Sequence, residues 1–69
     1  MKKIYLVNYS NGETFEDYET YTFKYCYSSK EQANKAIEEL KQDKDFLEII
    51  NPFDISGIEF WVTSLDLID

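Results

Sequence analysis

TYTFKYCYSSKEQANKAIEELKQ, residues 20 to 42, decides the fold. Every odd position from Tyr21 to Tyr27 is aromatic (Tyr21, Phe23, Tyr25, Tyr27), with Thr22, Lys24 and Cys26 between them. A period of two belongs to a strand with one apolar face. The period then changes. Ala33, Ala36, Ile37 and Leu40 fall on a single helical stripe at spacings of three, four and seven. The switch lies at two serines. Ser28 with Glu31 has the spacing of a capping box, and Ser29 with Gln32 offers a second, one residue on. Glu31 four residues before Lys35 supports the outer face. The helix should fade near Gln42 or Asp43.

Upstream, Lys3 to Tyr9 (KIYLVNY) is rich in β-formers and reads as a first strand. Two lysines before a short apolar run could suggest a signal peptide. The run breaks at Asn8 with no small-residue cleavage site after it, so the strand reading is preferred. Ser10-Asn11-Gly12 is turn chemistry. Glu13 to Glu19 is either a longer loop or an extension of the hairpin. Downstream, Phe46 to Ile50 (FLEII) reads as a short strand or an apolar plug, closed by Asn51-Pro52. After Gly57, Ile58, Phe60 and Val62 alternate with Glu59, Trp61 and Thr63, which makes a third strand.

The expected fold is α+β: ββαβ, a three-stranded mainly antiparallel sheet of order 2-1-3 with one helix on one face, in a single domain spanning residues 1–69. The two alanines of the helix stripe leave room that large rings can fill, so Phe23 and at least two tyrosines should lie beneath it. One helix covers one face. Strands 1 and 3 are apolar on both faces, so the second must meet solvent, the 43–56 segment, another copy or a partner. Tyr5, Tyr9 and Trp61 are expected on this open side, which should be apolar and rimmed with carboxylates; interface centres favour such rings.

Strand 1 (KIYLV), YCYSSKEQANKAIEELK, Asp45-Phe46 and IEFWVTSLDL occur in an order that resembles a family of short bacterial and phage domains of unknown function. Its members read as a "VYLL" strand, a strand ending "YSS", then "EEKAEEAIERLK", a "GF" and a strand near "FEIDEYELD". The likeness covers most of the chain, through capping and core positions. It implies the ββαβ fold and no catalytic residues. The chain lacks the family's glycine before Phe46 and is richer in tyrosine.

Composition narrows function. Fourteen acids against seven lysines, with no arginine or histidine, give a formal charge of −7. This balance argues against direct contact with nucleic acid phosphates, which needs cationic side chains, and favours basic protein partners. Solubility alone would also account for the charge. Base stacking on the rings would want a cationic groove, whereas Glu16, Asp17 and Glu19 flank them. Without histidine the commonest base and metal ligand are missing. Cys26, the single cysteine, reads as a structural thiol and fits a reducing cytoplasm. Asp43-Lys44-Asp45 with Glu48 lacks the glycine and third ligand of a calcium loop and reads as a solvated helix end. Two glycines cannot build a phosphate cradle. No apolar run approaches the roughly 20 residues of a membrane span.

The expectation is therefore a non-enzymatic module with no catalytic residues, metal or cofactor. Its partner is a basic protein such as a nuclease or other nucleic-acid-binding protein, with a phage-borne inhibitor of host defence (anti-CRISPR or other nucleic-acid mimic) as the class. Glu13, Glu16, Asp17, Tyr18 and Glu19 are the candidate partner-binding residues, and Glu38, Glu39, Asp43 and Asp45 an alternative acidic edge. A self-associating module forming a homodimer through the open face, or a small-ligand sensor with a cavity beneath residues 43–56, are the other readings.

Overall fold

The computed structural model describes residues 2–68. Three strands, β1 (Lys2–Ser10), β2 (Thr20–Tyr27) and β3 (Phe60–Leu67), form one sheet of order β2-β1-β3. β1 lies in the middle and is antiparallel to both neighbours. Helices α1 (Lys30–Gln42) and α2 (Lys44–Ile50) make the second layer, and single 3-10 turns occupy Phe15–Asp17 and Ile55–Gly57. The result is a slab with Cα extents of 43 × 26 × 14 Å. The expected α+β class, strand order and single-faced helix layer are all present.

Ser29, the second of the two cap candidates, starts α1: its side chain accepts from the Gln32 N–H at 3.2 Å. Gln32 Oε1 reaches back to the Ser28 hydroxyl (2.9 Å) and N–H (3.3 Å). Capping at Ser29 thus satisfies the Gln32 and Ser28 N–H groups together, which explains the choice. FLEII is neither strand nor bare plug but the body of α2. Asp43 caps it, accepting from the Phe46 N–H at 3.2 Å, so the carboxylate considered for calcium serves the backbone instead. Phe46 and Leu47 turn inward while Ile49 stays exposed. A helical period of three to four cannot be recognised in a stretch of five residues with four apolar ones. β3 begins two residues later than Ile58 because the 3-10 turn at 55–57 ends there, its last N–H (Ile58) bonding to the Ile55 carbonyl oxygen.

Val7, Ala33 and Ile37 form the core, with Tyr5, Phe23, Tyr27, Ala36, Leu40, Phe60 and Val62 packed around them. Phe23 and two tyrosines therefore lie under the helices, as the alanine stripe requires. Phe23 gains its place through a bulge. Leu6 pairs with Cys26 and Asn8 with Thr22, so Phe23, Lys24 and Tyr25 stand where β1 has Val7 alone. Two extra residues preserve the facing of the strand. Phe23 meets Phe46 edge-on (5.8 Å, 90°) and Tyr25 is left exposed, 5.5 Å from Phe23.

Candidate functional site

Two surfaces can meet a partner: one end of the slab and the uncovered side of the sheet. The end is built from the β1–β2 loop (residues 11–19) and the α2–β3 segment (51–59), drawn together by three small polar hubs. Asn51, 3% exposed, donates from Nδ2 to the Asn11 carbonyl oxygen and to Glu13 Oε1, both at 2.9 Å. Its Oδ1 accepts from the Phe53 and Asp54 N–H groups. Asn11 Oδ1 accepts from the Glu13 and Glu19 N–H groups, and its Nδ2 donates to the Asp17 carbonyl oxygen at 2.7 Å. The Ser10 hydroxyl accepts from the Glu59 N–H at 3.0 Å. Where the loops cross, a Cβ at Gly57 would stand 2.9 Å from the Gly12 carbonyl oxygen. Only glycine allows that approach.

This frame presents charge of one sign. Glu13, Glu16, Asp17, Glu19, Asp54 and Glu59 all belong to it, while segments 10–23 and 45–69 contain no lysine. Segregation, more than the net charge, makes the end distinctive. Among the carboxylates stand rings. Phe15 is 94% exposed and sits at φ 54°, a left-handed conformation unusual for a bulky residue, and Tyr18 is half exposed. Phe53, 93% exposed, projects from the second loop. Two side chains are tuned locally. Tyr21 donates to Glu19 Oε2 at 2.6 Å, and this bond to a carboxylate, aided by burial, raises the phenol above its ordinary pKa. Asp54 accepts from the Ser56 hydroxyl and N–H, which hold its carboxyl below the usual range.

All five proposed partner-binding residues (Glu13, Glu16, Asp17, Tyr18 and Glu19) lie on this end. Sequence reasoning missed Phe15, Phe53, Asp54 and Glu59. Phe53, Asp54 and Glu59 carried no local signal, since only the folding of 51–59 against 11–19 joins them to the site, whereas Phe15 stands directly before Glu16 in the sequence. The alternative edge does not separate charge. Glu38 and Glu39 are exposed on α1 and Asp43 and Asp45 sit at the start of α2, but Lys35, Lys41 and Lys44 lie among them. Glu39 adds to the burial that raises the Tyr27 phenol, the burial being the larger cause.

The uncovered sheet face needs correction. Register places Tyr5, Val7 and Tyr9 with Val62 and Phe60 on the helix side. Tyr9 meets Phe46 edge-on at 5.3 Å. Of the three rings expected on the open face, Trp61 alone is there. Facing alternates along a strand, and the helices cover the side where the rings are more numerous, taking Tyr5 and Tyr9 with it. The 43–56 segment packs against α1 and leaves the reverse open. Lys2, Ile4, Leu6 and Asn8 of β1 share that reverse with Trp61, Thr63, Leu65 and Leu67 of β3 and Thr22 and Cys26 of β2. None of these is a carboxylate, so the face is not rimmed with anions along its strands. Its central polar group is bonded within the sheet: Thr22 donates to Asn8 Oδ1 (2.8 Å) and Asn8 Nδ2 donates to Thr63 Oγ1 (2.9 Å).

In the helix layer, Tyr9, Thr22, Phe23, Leu40 and Phe46 line a shallow groove beside the α1–α2 junction. No three His, Cys, Asp or Glu side chains among the described residues are grouped to hold a metal ion. No helix is long and apolar enough to cross a membrane among them. Compared with known proteins, the chain matches no family model, no curated protein and no solved structure.

Proposed function

We propose that this chain is a non-enzymatic protein-binding module whose acidic loop end engages a basic surface of a nucleic-acid-handling protein. One observation carries the reading: six carboxylates and no lysine share with Phe15 and Tyr18 two loops pinned by the side-chain amides of Asn11 and the buried Asn51. The carboxylates stand in for phosphates and draw the partner in at long range. The rings supply the desolvated contact that charge alone does not. Pinning matters because a loop already ordered loses little entropy on binding. A partner that ordinarily binds nucleic acid is inhibited by occupation of its phosphate-binding surface. The resemblance to short phage domains makes a host-defence nuclease, a CRISPR effector among them, the target class, with the cytoplasm as the place of action.

The test is capture of partners from a bacterial lysate by the immobilised chain, at about 50 mM and about 500 mM salt, where the screening length falls from roughly 14 Å to 4 Å. Glu16 and Asp17, whose carboxylates make no hydrogen bond among the described residues, are neutralised together (E16Q/D17N) as the comparison. A basic nucleic-acid-binding protein should be held at low salt, released at high salt, and lost by the variant. Retention by the variant, or indifference to salt, overturns the reading.

A further inference from the structure

The exposed surface of the chain is large for its mass. A compact folded chain of 8.2 kDa exposes about 4,500 Å². This one exposes 5338 Å², roughly 800 Å² more, which is what one partner contributes to a standard interface. The excess follows from the slab shape, in which one whole side of the sheet is bare.

We infer that this side is covered by a second copy of the chain, the two sheets packing face to face and head to tail about a two-fold axis along the Leu6 row. Three observations select that occupant. Two molecules of charge −7 repel each other, and the bare face is where they can meet without setting carboxylate against carboxylate. Asn8, although it lies on the central strand, is only 9% exposed and has its amide oxygen bonded to Thr22 and its nitrogen to Thr63, so an apolar surface can cover it with both amide ends engaged. The charges at the two ends of the face are opposite. Lys2 closes one end, and Glu59, paired by backbone with Ser10, stands at the other.

The axis follows from that polarity. Along β1 the rows of the face run Lys2, Ile4, Leu6, Asn8, Ser10, and Leu6 is the middle one. A two-fold axis along this row reverses the strands and brings each Lys2 beside the Glu59 of the second copy. The same operation sets Trp61 over the second copy's Leu65. Cys26, which shares the Leu6 row and is exposed, then faces its own symmetry mate across the interface. The closed sandwich has aligned sheets about 10 Å apart. Of the six carboxylates of the acidic loop end this association uses Glu59 alone, so E16Q/D17N tests that end and Leu65→Glu tests this face independently.

Sedimentation of the full chain between about 10 µM and about 1 mM tests it, because interfaces of this size span a wide range of affinities and the weak end must be reached. The expected result is a reversible monomer–dimer equilibrium. Leu65, half exposed in the single chain, can carry a charge without disturbing the fold. Leu65→Glu is expected to raise the dimer Kd at least tenfold with unchanged circular dichroism and Tm. Lys2→Glu should weaken the dimer, and adding Glu59→Lys should restore it. A short bis-maleimide reagent should join two chains through Cys26, in the native protein and not in Leu65→Glu. A monomer throughout the range leaves the face to some other partner and overturns the proposal. So does a dimer indifferent to Leu65→Glu, or one that Cys26 cannot bridge.

Discussion

Asn51 holds Glu13 across 38 residues of chain, Nδ2 to Oε1 at 2.9 Å, while the same amide nitrogen holds the Asn11 carbonyl oxygen. A buried amide thus decides where a surface carboxylate points. Orientation of charge at the loop end depends on a residue that no partner would touch.

Replacing that residue should be costly. Asn51→Ala orphans the Asn11 carbonyl oxygen and the Phe53 and Asp54 N–H groups, and each loss in a buried setting is worth about 1 kcal/mol or more. A loss of about 2–3 kcal/mol is expected, a large share of the roughly 3–5 kcal/mol available to a core this small. Urea denaturation followed by Trp61 fluorescence measures it. Asn51→Asp, which keeps the acceptor and sets a second carboxylate by Glu13, should be destabilised at neutral pH and recover as the pair is protonated.

The glycines where the loops cross admit no side chain. Gly57→Ala would put a Cβ 2.9 Å from a backbone oxygen that cannot swing aside. Gly12→Ala combines contacts of 3.2 Å with a φ of 78°. Each should lose about 1–2 kcal/mol. At this chain length the Tm falls by roughly 5–10 °C, read by thermal circular dichroism. A native Tm in either variant would mean that the loops do not cross as described.

Phe15 should show stability and binding moving in opposite directions. Its ring is almost wholly exposed, and its left-handed backbone is one that asparagine adopts more readily. Phe15→Asn is therefore expected to leave the fold unchanged or more stable by about 0.5–1 kcal/mol. The same substitution should weaken capture of a basic partner at least tenfold. A variant that binds normally removes Phe15 from the contact.

Tyr21 and Glu19 couple the loop end to alkaline pH. The bond to the carboxylate raises the folded phenol above its unfolded value. The associated stability is present below the unfolded tyrosine pKa and is lost as pH rises through the higher, folded one. Glu19→Gln should bring the Tyr21 titration down toward ordinary tyrosine, observed by NMR of the ring carbons. Asp54 has the opposite sign: Ser56 lowers its folded pKa, so its contribution is lost as the pH falls through that lowered value.

The fold was legible because its signals are local. Tyr21 to Tyr27 alternates, the Ala33–Leu40 stripe recurs at helical spacing, and the serines between them mark the boundary; each feature acts within a few residues, where sequence distance and spatial distance agree. Even the cluster from Glu13 to Glu19 could be picked out as a charged loop. What the sequence left open needed distant segments to meet. Facing is one case: Tyr5 and Ile4 are equally apolar neighbours, and only the docking of Phe46 on Tyr9 settles which side of β1 is roofed. Completion of the acidic end is another, since Asp54 and Glu59 join Glu16 and Asp17 only through the hydrogen bonds of Asn51 and the contact of Gly12 with Gly57. Period and capping are properties of neighbouring residues and can be read along the chain. Which faces are buried, and where charge collects, depend on packing between residues some forty positions apart, and the tertiary structure decided them.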